Sequence, residues 1–435
     1  MSRLAAVAAI RFGLGPRPGE CAEIAHDPKG WVLAQLERVP PPLPAVGASV
    51  PTAEQGLATL LETQRNRPPP GAPNPLTVAY QDSMLALSAH WATTESPVIE
   101  RFALLWSNHL TVSRRAASLA ALVADHHLRA IRPHVLGPFH ELLRAAVLHP
   151  AMLRYLDNHV SVGPNSEAGL RRRRGLNENL AREVLELHTV TPAAGYTQAD
   201  VTQLAAALTG WGTGEAGESP VVFRPRAHEP GEKTILGRTF PEGAEGTLAA
   251  LVMLATHPAT FRALALRLAR HYLADDPPPA VVAAVERRLA ETEGDLGAAM
   301  RALVAHPLAW EAPLGKLRSP AEFVIASLRA TGDPLPPPAR LAAFGELGQP
   351  LFTAPSPKGW PDEAAAWSAP ELILRRIDWA ARLAARLPDP PDPRELLDAV
   401  LGPLADAETR AAVRGAPSVR EGVLLVLASP AFQRR

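Results

Sequence analysis

Cysteine is all but missing from this chain: Cys21 stands alone among 435 residues. A single thiol excludes an intramolecular disulfide and any zinc cluster built on several thiolates. An excess of either charge is missing as well. The 44 Lys and Arg balance the 44 Asp and Glu, so no long-range field recruits nucleic acid. Long apolar runs are also absent. Hydrophobic residues make up 47% of the chain, an ordinary share for a globular protein, and they are too dispersed for a membrane span. Lysine is confined to Lys29, Lys233, Lys316 and Lys358, and with the abundant Ala and Pro this bias speaks of a GC-rich genome more than of a function. No phosphate-binding P-loop, dinucleotide-binding glycine pattern, G-x-S-x-G elbow or aromatic-plus-basic surface is found. The opening MSRLAAVAAIRFGLG resembles a signal peptide only superficially. Its apolar run, residues 4–10, is closed by Arg11 with no small-residue cleavage site after it, so it reads as mature structure and the chain as cytoplasmic.

What is present is helix. Apolar residues recur at helical spacing over 77–91, 97–114 and 117–131, and again over 247–331. The chain therefore reads as all-α, an irregular multi-helix bundle. Residues 1–76 form short helices followed by a Pro-rich arm, PPPLP to PPPGAPNP, which suits polyproline structure or a strap over the body. Residues 77–435 form the main domain, with 332–435 as a possible subdomain after its Pro-punctuated boundary. The one strand region is 212–246, where 221–223 and 234–236 read as the arms of a small hairpin. A weak echo recurs along the chain: His149, His257 and His306 each precede a proline. That is the N-cap position of a helix, so these three have a structural explanation.

The densest polar stretch is 175–211. Leu180, Val184 and Leu187 make the apolar stripe of its first helix, and Glu178, Arg182 and Glu186 a solvated ladder opposite. Glu183 and His188 flank the stripe, about 140° apart on an ideal helix. Pro192 and Gly195 end that helix, and Thr197 with Asp200 caps the next. On the 97–114 helix, His109 falls in the middle of the stripe formed by Ile99, Phe102, Leu105, Trp106 and Leu110. A histidine there must be neutral or paired. Of the adjacent His126 and His127, helical geometry sends one to the surface. Arg171, Arg172, Arg173 and Arg174 precede the central helix, whose N-terminal dipole is itself positive, so an anion could balance them.

Two readings stay open. In the first, His109, His188 and His228 bind zinc or non-haem iron, with Glu183, Glu178 and Asp157 as catalytic or supporting carboxylates. In the second, the protein is a non-catalytic helical scaffold that takes an anionic ligand or a protein partner, and the same polar groups form a buried network.

NENLAREVLELHT followed by GYTQADVTQLAAALTGW resembles the signature of the bacterial family of unknown function DUF1800. RFGLGP, ERFALLWSNHLTVS at 100–113, HPAMLRYLDN at 149–158, the pattern of Phe223, Pro225 and His228, and KLRSPAEFV at 316–324 agree with it. The resemblance implies no reaction. It does imply a companion protein of the DUF1501 family, encoded beside many relatives, of which many are exported. Two departures stand out. Where that family usually carries Trp-His-Asn-His, this chain has Trp106-Ser107-Asn108-His109. Where it commonly has His-Asp, this chain has His228-Glu229.

Overall fold

Prolines and short polar side chains decide where the helices begin. Pro28 opens helix Pro28–Gln35, and the Asp27 carboxylate accepts the Gly30 N–H. Thr52 with Gln55, Thr197 with Asp200, and Ser319 with Glu322 form reciprocal capping boxes, each satisfying backbone donors that the first helical turn leaves free. His149, His257 and His306 accept the N–H groups of Ala151, Ala259 and Leu308. The three His-Pro pairs are thus helix joints, as their spacing suggested.

The computed structural model describes residues 2–37, 41–172, 175–215, 217–311 and 314–435. It is an all-α assembly with two small antiparallel two-stranded sheets. The 212–246 region departs from its expected pairing. Val221–Phe223 pairs with Trp211–Thr213, not with the 234–236 segment, and Lys233–Ile235 pairs with Arg238–Phe240. Each strand thus closes on its nearest neighbour in sequence, the arrangement with the smaller loop-closure cost. His228 lies in the connection between the two hairpins. The expected 117–131 helix is broken into a 3₁₀ turn, one α turn and the π turn His126–Ile131. That π turn buries both His126 and His127, so the placement of one of them at the surface is wrong. Among the described residues no single helix is long and apolar enough to cross a membrane; one bent helix pair passes by length and composition alone.

Helix Pro97–His109 is the axle. Ile99, Phe102, Leu105 and Trp106 are buried, but so are Glu100, Arg101, Ser107 and His109. A helix buried on all sides must satisfy its polar side chains through other elements. Arg132 donates twice to Glu100. Arg101 donates to the Gly13 carbonyl and pairs with Glu322 at 3.0 Å. Arginines also staple the N-terminal segment. Arg11 donates to the carbonyls of Ala309 and Glu311, and Arg329 binds the Gly15 carbonyl and both oxygens of Glu20.

Candidate functional site

The central helix is not ideal. It runs as α-helix over Asn179–Glu183 and then widens into a π turn over Val184–His188. The Thr189 hydroxyl donates to the Val184 carbonyl at 2.6 Å, which holds the widened turn. Adding a residue to a turn re-aims the side chains that follow, and such turns recur at functional positions. Leu185 is consequently buried and Leu187 only half-buried, whereas an ideal helix placed Leu187 on the core stripe. His188 turns fully inward.

The π turn brings His188 to His109. Their rings lie 6.1 Å apart, and His109 Nε2 donates to the His188 carbonyl at 3.1 Å. Among the described residues, three ring nitrogens, His109 Nδ1 and both of His188, have no hydrogen-bond partner. Burial, reinforced by the charge of Arg267, keeps both rings neutral: His109 well below its ordinary value and His188 at about 3.

The other expected site residues go elsewhere. His228 Nδ1 donates to the Thr209 carbonyl at 2.8 Å, and its Nε2 accepts the Gly243 N–H at 3.0 Å. Its ring is thus occupied as a joint between the hairpins and the following helix. Glu178 accepts from Gln198, Thr202 and Arg182, which ties the two helices of the central hairpin together and holds its carboxyl low. Asp157 is exposed, in a left-handed backbone conformation. Glu183 is half-buried and takes no hydrogen bond from the described residues; burial and the nearby Glu186 raise it. Among the described residues, no group of three or more His, Cys, Asp or Glu side chains is placed to hold a metal ion. A zinc or iron site on the expected set would draw at most two ligands from the His109–His188 pair. The arginine run also departs from expectation. Arg171 and Arg172 end a short helix, Glu167–Arg172, where the dipole favours cations, and Arg171 pairs with Glu167 at 2.7 Å. Arg173 and Arg174 lie outside the described residues, as does the side chain of Arg172.

Sequence reasoning missed a cleft between the helix start at Ser319 and helix Pro97–His109. The cleft, enclosing about 990 Å³, part of it open to solvent, lies between helix Pro97–His109, helix Pro258–Tyr272, the start of helix Pro320–Thr331 and the 349–362 segment. Leu105, Ile325, Leu351, Phe352 and Trp360 make its walls largely apolar, and Arg101, Ser107, Arg267, His271, Glu322 and Asp362 add polar groups. Asn108 straps the 349–362 segment down, exchanging two 2.8 Å hydrogen bonds with the backbone of Trp360.

A charge network backs one wall. Arg435 lies 2.8 Å from the Glu322 carboxylate and 2.9 Å from Asp362. His271 sits 3.2 Å from the same Asp362 oxygen, and Lys316 2.5 Å from Asp275. Burial would raise Glu322, but the charges of Arg435 and Arg101 overcome it and hold the group at about 2. Burial works against Asp362 in the same way and is outweighed by His271, Arg435 and Lys316. Burial pushes His271 down to about 4 despite Asp362. Arg267 is the exception in this network. It is half-buried and lines the cleft, and among the described residues it has neither an ion-pair nor a hydrogen-bond partner. Two acids act on it, Asp362 first and then Glu363; Asp362 is already engaged by Arg435 and Lys316. Ser-Pro-Ala-Glu at 319–322, a capping-box pattern, and the Ser107-Asn108 pair were the sequence signals that could have pointed here.

The chain belongs to the family described as a protein of unknown function (DUF1800), whose pattern matches residues 7–434. No curated protein and no solved structure matches it.

Proposed function

We propose that this protein binds a small molecule with an apolar body and one anionic head, a carboxylate being the simplest, in the cleft beneath the 349–362 strap. One observation carries the reading: Arg267 lines a largely apolar concavity and, among the described residues, has no ion-pair or hydrogen-bond partner of its own. Ligand sites are typically apolar pockets with a few convergent polar groups, and a desolvated guanidinium favours a carboxylate bidentately. This is the scaffold reading moved from the arginine run to the cleft.

Calorimetric titration with octanoate, octylamine and octanol tests it. Octanoate should bind and the other two should not. Arg267→Met should weaken octanoate by about 10- to 100-fold, the worth of a charge-assisted hydrogen bond of roughly 1.5–3 kcal/mol. Equal affinity for octanol, or an unchanged affinity in the variant, sinks the reading.

A second reading keeps a metal-dependent enzyme, with zinc or non-haem iron at the His109–His188 pair. The three unpartnered ring nitrogens favour it, since neutral imidazole is a good ligand. Ligands beyond those two would have to come from solvent or substrate. Metal analysis after reconstitution tests it: under a tenth of an equivalent of any transition metal rejects it. A DUF1501-family companion fits either reading as donor or recipient of the small molecule, and co-purification of the pair would test that.

A further inference from the structure

Ser107 lies in the last turn of helix Pro97–His109. Its side chain lines the cleft, and the residue is only 7% exposed, so the cleft is its route to solvent. A helical serine commonly donates to the carbonyl four residues back. This one instead meets His127 Nδ1 at 2.6 Å, a short buried contact. The imidazole is held in place by the rings of Trp91, edge-on at 5.9 Å, and Phe352, at 5.5 Å. Both of those residues also line the cleft.

The tautomer follows from the hydrogen-bond inventory. If Ser107 donates to Nδ1, the ring proton sits on Nε2, which is buried and has no partner among the described residues. Glu100 Oε2 is buried and lacks one too, while its other oxygen is fastened by Arg132. The Glu100 charge acts on the His127 ring, raising its proton affinity against burial. Burial, helped by the charges of Arg132 and His90, still prevails and keeps the ring at about 4, so it is neutral. A hydroxyl within hydrogen-bond reach of a neutral imidazole is an arrangement that activates a serine.

We propose that Ser107 is a nucleophile for acyl transfer in the cleft, with His127 as its base. The substrate class is an ester or thioester whose acyl chain fits the apolar walls. Ser107 Oγ attacks the carbonyl carbon, the new C–O bond forms, the carbonyl electrons move to oxygen, and the hydroxyl proton passes to His127 Nδ1. On collapse the bond to the leaving alcohol or thiol breaks, and that group departs with the proton from His127. Water, activated by the same nitrogen, then releases the acid and restores the serine. Arg267 on the same cleft supplies positive charge for the developing oxyanion. The inference rests on the cleft admitting a small apolar molecule, as in the preceding section.

The test is covalent labelling of the full chain with an alkyl fluorophosphonate, followed by peptide mass mapping. Attack by Ser107 forms an O–P bond and expels fluoride, with the proton taken by His127. One adduct per chain on Ser107 is expected, absent in Ser107→Ala and at least tenfold slower in His127→Gln. Mapping on the unmutated chain needs no variant to fold. Its outcome alone decides: no adduct, or an adduct only on another serine, overturns the proposal. Labelling of His127→Gln at the parental rate would overturn the role of the base. Octanoate titration of Ser107→Ala separates the two readings. Retained binding with failed labelling leaves the binding reading standing without the chemistry, and lost binding with intact labelling of the parent does the reverse.

Discussion

At the residue scale, what distinguishes this chain is the number of charged side chains that its interior accepts. Arg101, Arg318, Arg329, Arg376 and Arg435 are all buried. Each such group needs a partner, and where one partner serves two cations its removal is severe. Glu322 serves both Arg101 and Arg435. Glu322→Gln should therefore cost about 3–5 kcal/mol, because it leaves buried charge uncompensated. Arg435→Ala should cost a comparable amount, although a residue so near a terminus is usually replaceable. Urea unfolding of both variants checks this; losses within about 0.5 kcal/mol, the surface norm, would contradict the network. Arg267→Met makes the opposite case. Its side chain supports nothing among the described residues, so the same measurement should find stability nearly unchanged while ligand affinity falls.

At the scale of elements, two local departures from regular geometry shape the site. The first is the π turn Val184–His188, which sets His188 against His109. An ideal rotation of about 100° per residue cannot anticipate an inserted residue, and this is why the expected stripe through Leu187 fails while Leu180 and Val184 hold. The second is the 349–362 strap. Gly359 has φ of +84°, and a Cβ there would come 2.3 Å from the Asn108 carbonyl oxygen. Gly359→Ala should therefore loosen the strap at a cost of at least about 1–3 kcal/mol. Limited proteolysis should then cut within 349–362 faster than in the parent. An unchanged cleavage rate would mean that the strap is not held where Asn108 and Trp360 meet.

At the scale of the whole molecule, the buried imidazoles couple stability to pH. Burial lowers His109, His126, His127, His188 and His271, with His127 and His271 at about 4. The sign follows from proton counting. Between the ordinary value of 6.5 and about 4, the unfolded chain binds protons that the folded chain does not. Stability is therefore full above pH 6.5 and falls as the pH drops through that window, each ring contributing up to roughly 1.4 kcal/mol per pH unit. Glu322 acts in the same direction lower down, between 4.5 and about 2. Thermal melts from pH 7.5 to 4.5 should show a steep decline that begins near pH 6.5; a flat profile would mean that these rings are protonated in the fold.

Much of the architecture was legible from residue order. Proline and capping chemistry act within four residues, so the helix starts at 28 and 198 and the three His-Pro joints could be located from spacing alone. The burial of His109 was legible too, because an apolar stripe is a local pattern. The partners of polar groups are not local. His228 and Glu178 proved to be occupied by neighbours that no spacing names, and Arg267 gained its place in the cleft because four elements distant in sequence close around it. Backbone periodicity decides which residues form a face, while only the packing of faces decides which buried charge is left without a counter-charge.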